Sequence, residues 1–128
     1  MYSSFSSYNG FYDEKEYYDD LPIIVPELTD STITMINKNP TVLLCYAPWC
    51  SHCVQFKPMF TELANACKDL PNVKFAQLDA SKWTLSANLF DIKAFPTIFL
   101  VSNGKNIPYT GTRTIPLIKT WIKSTLKI

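Results

Sequence analysis

The sequence predicts an α/β fold in which a mixed central β-sheet is flanked by helices. Three observations predict it. Apolar runs at Thr41–Tyr46, 73–78 and 97–101 have the length and residue types of strands. Stretches with apolar residues at helical spacing separate them and are long enough to cross from one strand to a parallel neighbour. A Ser102-Asn103-Gly104-Lys105 turn then closes the pattern with an antiparallel hairpin. Parallel pairs followed by a hairpin make the sheet a mixed one.

Residues 1–20 hold Ser, Tyr and acidic residues without a sustained apolar period, and are expected to form an acidic tail outside the fold. The folded domain is expected to run over residues 21–128. Ile23, Ile24 and Val25 predict a short strand closed by Pro26. Asp30 or Ser31 is placed to cap a short helix through Asn37, with Ile33 and Ile36 on one face and Asn39-Pro40 ending it. Thr41 to Tyr46 is a continuous apolar run, the pattern of a central strand buried on both faces. From Cys50 to about Leu70, Phe56, Phe60, Leu63 and Cys67 recur at helical spacing, with Pro58 inside the helix and expected to kink it. Val73 to Leu78 predicts a second buried strand, Lys82 to Phe90 a helix, and 97–101 a third strand paired through the turn with 107–109. The last helix starts near Thr114, tolerates Pro116 in its first turn, and has an apolar face of Ile118, Trp121, Ile122, Thr125 and Leu126.

At 128 residues the chain is long enough for one core and too short for two. Its net charge of +1 gives no electrostatic footprint for nucleic acid or an anionic membrane, and no apolar stretch reaches spanning length. The total hides an asymmetry, with residues 1–20 summing to −4 and the remainder to +5. The N-terminus lacks a basic start and an apolar core, and Ser124 to Ile128 is not an endoplasmic-reticulum retention signal. Ile, Lys, Asn, Phe and Tyr are abundant, as AT-rich codons would make them, in parasites or large DNA viruses for example. Cytoplasm or a virus particle (virion) is therefore expected rather than secretion, and a monomer rather than an assembly.

The four cysteines are too few for a disulfide scaffold, and only Cys50 and Cys53 are closely spaced. A Cys-x-x-Cys pair where a buried strand meets a helix places the first sulfur at a helix N-terminus. The free N–H groups and dipole there favour a thiolate, each unit of pKa depression being about 1.4 kcal/mol. The second thiol, one turn on, can close a small disulfide and resolve a mixed one. Two other readings stay open: half of a zinc site, which lacks a second pair of ligands and has only His52 to add, and a scaffold without turnover. No metal and no cofactor is expected. Cys45 and Cys67 fall on predicted buried faces, as inert core residues or, alternatively, as a regulatory pair.

Tyr46-Ala47-Pro48-Trp49-Cys50-Ser51-His52-Cys53 resembles the Tyr-Ala-Pro-Trp-Cys-Gly-His-Cys signature of protein disulfide isomerase catalytic domains, members of the thioredoxin superfamily. Pro58, Phe95-Pro96-Thr97 and the segment Tyr109 to Thr114 match further family features in order. The resemblance implies the thioredoxin fold and a thiol–disulfide oxidoreductase of oxidase or isomerase type. Its redox-active disulfide would join Cys50, the nucleophile, to Cys53, the resolving thiol. It further implies that His52 favours the Cys50 thiolate, and that Arg113 approaches Cys53 and lowers its pKa. Pro96 is expected to follow a cis peptide bond that turns the Phe95 backbone toward Cys50. Trp49, Phe95 and Pro96 would then hold an extended substrate chain. The implied partners are protein thiols and disulfides and an unidentified redox-recycling partner.

The sequence also departs from the family. Leu44 and Gln77 stand where disulfide isomerases carry a buried Glu and its Lys partner, which implies that the usual acceptor for the second thiol's proton is missing. Ser51 replaces a glycine, with a hydroxyl in reach of the Cys50 thiolate, and Val54 replaces a basic residue. A scaffold that binds extended peptides while its dithiol cycles slowly is the alternative to an enzyme.

Overall fold

The computed structural model describes residues 23–128, so the expectation for the 1–20 tail lies outside the described residues. Five strands, β1 (Glu27–Leu28), β2 (Thr41–Tyr46), β3 (Lys74–Asp79), β4 (Thr97–Ser102) and β5 (Lys105–Pro108), form one sheet in the order β1-β3-β2-β4-β5. β1 and β2 both run parallel to β3, while β4 is antiparallel to β2 and to β5. The helices are α1 (Ser51–Ala66), the single-turn α2 (Thr84–Ala87) and α3 (Ile115–Leu126), with a 3-10 helix over Ile33–Asn37. The predicted fold class and element order are the observed ones.

β2 is buried throughout because each of its faces meets a separate core. Val42, Leu44 and Tyr46 join Cys53, Phe56, Phe60, Leu63, Ile118 and Ile122 beneath α1 and α3. Leu43 and Cys45 pack on the other side with Leu28, Ile33, Ile36, Leu78, Phe90 and Phe99. This alternation is the period of two in a strand, seen with both faces apolar. Cys45 and Cys67 therefore lie in different cores on opposite sides of the sheet, and both are free thiols, which removes the regulatory pairing. Burial pushes Cys45 up to about 12 and Cys67 up to about 11, so both stay protonated and unreactive.

Several boundaries differ from expectation. Residues 23–25 are not a strand: Pro26 has no N–H to give, and the ladder starts where its carbonyl accepts from Gln77 N at 3.0 Å. Neither Asp30 nor Ser31 caps the following helix, whose N-cap is Thr32 without a side-chain bond. The Asp30 carboxylate instead accepts from Ser86 N and Ser86 Oγ at 2.8 and 2.6 Å, tying the two segments on that face together. β3 alternates between buried and partly exposed residues, because its neighbour β1 is only two residues long. The helix expected over 82–90 shrinks to one turn. After Ala87 the bonds become Leu89 N to Ser86 O and Phe90 N to Ala87 O, the tighter i→i+3 pattern that ends a helix. β5 begins two residues early because the turn is only Asn103-Gly104, with φ of 53° and 75°, and Ser102 pairs directly with Lys105.

Helix α1 ends where Lys119 of α3 donates to Ala66 O at 2.8 Å and pairs with Asp69 at 3.0 Å. The lysine satisfies a C-terminal carbonyl and opposes the negative end of the helix dipole, and it holds Asp69 below the usual carboxylate range. At the far end of α1 sits Cys50.

Candidate active site

β2 delivers the chain into Ala47, Pro48 and Trp49, and Cys50 then serves as the N-cap of α1 with extended φ and ψ of −88° and 119°. Its amide donates back to Ala47 O at 3.1 Å, closing the turn that lifts the sulfur off the sheet. Cys53, one turn later, points into the core and is buried. The two thiols are free and face each other as donor and acceptor.

Their surroundings act in opposite directions. The Cys50 thiol is pulled down first by the Cys53 thiol, which donates to its sulfur, then by the backbone N–H groups of Cys53 and His52, and by the Arg113 guanidinium, against a burial that opposes them. The Cys53 thiol is pushed up, first by burial and then by the anionic tendency of Cys50, while the backbone at Ala47 and Arg113 pull it down. A thiol with a depressed pKa therefore sits above a second one that keeps its proton.

His52 is exposed, and its main-chain N–H is among the groups that pull the Cys50 thiol down. The Ser51 hydroxyl is exposed beside it. Arg113 is exposed too, with its guanidinium carbon 5.7 Å from the centre of the Phe56 ring, close enough to act on both cysteines. Tyr109 prepares that position: its ring lies 5.0 Å from Trp121 and its hydroxyl donates to Thr112 O. Gly111 permits this, because a Cβ there would lie 2.7 Å from the Tyr109 hydroxyl.

The Phe95–Pro96 peptide bond is cis. The Phe95 carbonyl lies 3.8 Å from Cys50 Sγ, as a weak acceptor of its S–H, and Pro96 is buried beneath. Trp49 is 73% exposed and meets Phe95 edge to face at 6.0 Å. The structure thus gathers Trp49, Cys50, Cys53, Phe95, Pro96 and Arg113 in one place. The surface there is open. A cavity of about 640 Å³ lies at the other end of α1, around Leu70, Val73 and Met35. Among the described residues no group of three or more His, Cys, Asp or Glu converges to hold a metal ion.

Leu44 is fully buried and faces Gln77, whose amide donates to Val25 O at 3.2 Å. Three residues to which the sequence analysis gave no individual role lie beside them. Tyr46 donates its hydroxyl to Glu27 at 2.7 and 2.9 Å, Lys57 pairs with Glu27 at 3.0 Å, and the Lys57 ammonium stands 4.0 Å above the Tyr46 ring. The signal available was Lys57, four residues after Cys53 and so on the same side of a helix.

The sequence pattern of the thioredoxin family matches residues 25–124, and the chain belongs to that family. Protein disulfide isomerases are among its relatives. Human protein disulfide-isomerase A4 is 39% identical over 79 residues, 61% of this chain and 12% of that protein. The Arabidopsis thaliana protein disulfide isomerase-like 1-4 is 32% identical over 132 aligned positions, covering 91% of this chain and 22% of its own length. In structure, the first thioredoxin domain of mouse protein disulfide-isomerase A4 superimposes with a TM-score of 0.69 at 31% identity, over 84% of this chain and 82% of that domain. The chain spans about 12–22% of the length of these curated relatives.

Proposed function

We propose that this domain is a thiol–disulfide oxidoreductase of disulfide-isomerase or oxidase type acting on protein disulfides, with Cys50 and Cys53 as its redox pair. The observation that carries this reading is the opposite displacement of two adjacent thiols at a helix N-terminus, the accessible one down and the buried one up. Cys50 attacks a substrate disulfide, or donates its own, and Cys53 resolves the mixed disulfide. The His52 main chain and Arg113 stabilise the Cys50 thiolate. Trp49, the Phe95 backbone and Pro96 form the platform for an extended substrate segment. The relatives' name supports the substrate class, and residues 21–128 are the unit that would carry the activity, recycled by a second redox protein.

The test is insulin reduction and refolding of scrambled ribonuclease by the full chain and by Cys50→Ser. Loss of both activities in the variant is expected, whereas equal rates would leave a peptide-binding module whose dithiol does not turn over. Equilibration of the Cys50–Cys53 pair with glutathione fixes the direction. A potential near that of thioredoxins would make the domain a reductant instead.

A further inference from the structure

Cys53 poses a chemical problem that the pair at Leu44 and Gln77 does not answer. Its thiol is buried and holds its proton, yet it must become a thiolate to resolve a mixed disulfide. A leucine and an amide bonded to Val25 O offer no base. The sheet register shows where one lies. Leu44 of β2 pairs with Gln77 of β3, and Gln77 pairs in turn with Glu27 of β1, so the three side chains stand in one row on the face covered by α1. The carboxylate absent from the first two positions is present at the third. Tyr46, which shares the core with Cys53, donates its hydroxyl to both Glu27 oxygens. Lys57, one helical turn beyond Cys53, holds the carboxylate from the other side.

From this arrangement we propose that Glu27, positioned by Tyr46 and Lys57, takes up and returns the proton of Cys53. The inference rests on the redox reading of Cys50 and Cys53. In the resolving step the Cys53 S–H proton passes toward Glu27, and the electron pair left on sulfur forms the bond to Cys50 Sγ. The bond between Cys50 and the substrate sulfur breaks, and that sulfur leaves with the electron pair and takes a proton from water. The substrate disulfide is reduced by two electrons and the dithiol is oxidised. When the domain donates its disulfide, the same proton returns from Glu27 to Cys53. The other charged groups facing this route are Lys57 of α1, Asp79 of β3, Cys50, and Arg113 before α3.

The experiment mixes the reduced full chain with excess glutathione disulfide, quenches in acid, and separates the Cys50–glutathione adduct from the closed Cys50–Cys53 disulfide. Glu27→Gln keeps the shape of the side chain and removes the base. Its ring closure is expected to slow about tenfold or more relative to adduct formation, in the range that a general base contributes. The slowed closure should also accelerate with imidazole buffer concentration at fixed pH and ionic strength, which closure in the parent does not. Tyr46→Phe, which keeps the ring under Lys57 and deletes the hydroxyl, should behave in the same way. Unchanged closure in Glu27→Gln, or slow closure that buffer does not accelerate, overturns the proposal. A parent chain that forms no adduct at all overturns the redox reading itself, and the proton route with it.

Discussion

Cys50 and Cys53 are one helical turn apart, and each owes its state to atoms that can be removed one at a time. Replacing Arg113 by Ala withdraws a positive charge from both thiols, so alkylation of Cys50 by iodoacetamide at neutral pH is expected to slow severalfold while its pH midpoint rises. The depressed Cys50 pKa also has a stability signature in the reduced protein. Between its folded pKa and the ordinary thiol value the unfolded chain holds a proton that the native state has released. That contribution to stability is therefore present above the ordinary value and is lost as pH falls through the folded pKa. Cys45 and Cys67 have the opposite sign, having been raised from 9.0 to about 12 and about 11. Their contribution is complete below 9.0 and is lost as the pH climbs through those raised values. Melting temperatures of the reduced protein should thus decline above that point, and less steeply in a Cys45→Ala, Cys67→Ala double variant.

At the scale of elements, the segment from Tyr109 to Arg113 links the sheet to α3 through one close approach. A methyl group at Gly111 must displace the Tyr109 hydroxyl, which lies 2.7 Å from where it would stand. Gly111→Ala is expected to cost about 1–3 kcal/mol in urea denaturation and to slow Cys50 alkylation, because Arg113 moves with the segment. The elements legible in the sequence were those with strong periodicity and an unambiguous stop: β2, α1, β4, the hairpin and α3. Thr114 does accept from Leu117 N at 3.4 Å, as the N-cap of the last helix. What stayed illegible depended on partners distant in the chain. Asp30 has the chemistry of a cap but is engaged by Ser86, 56 residues away. Glu27 has the chemistry of a solvated surface charge until the sheet brings Tyr46 beside it, and the helix brings Lys57. The cysteine turn was readable because all its residues are local, whereas the groups around Cys53 come from four separated segments.

At the scale of the whole molecule, the two cores lie on opposite faces of β2, and the larger one carries the candidate site. Phe60 is its fully buried centre, with ring centroids 6.2 Å from Phe56 and 5.7 Å from Phe75. Phe60→Ala is expected to cost about 3–5 kcal/mol, measured from the denaturation midpoint, since the rings around it cannot collapse into the space. The borders of the sheet have a different consequence. One border strand, β1, has two residues, follows a proline and bears Glu27. The other, β5, carries Lys105 and ends at Pro108. A further strand arriving at either side meets a missing donor and a charge, the features that keep exposed ladders from recruiting neighbours. Among the described residues, both borders of the sheet therefore resist extension without closing into a barrel. On the proposed reading, an extended substrate segment would pair with the Phe95 carbonyl and not along these flanks.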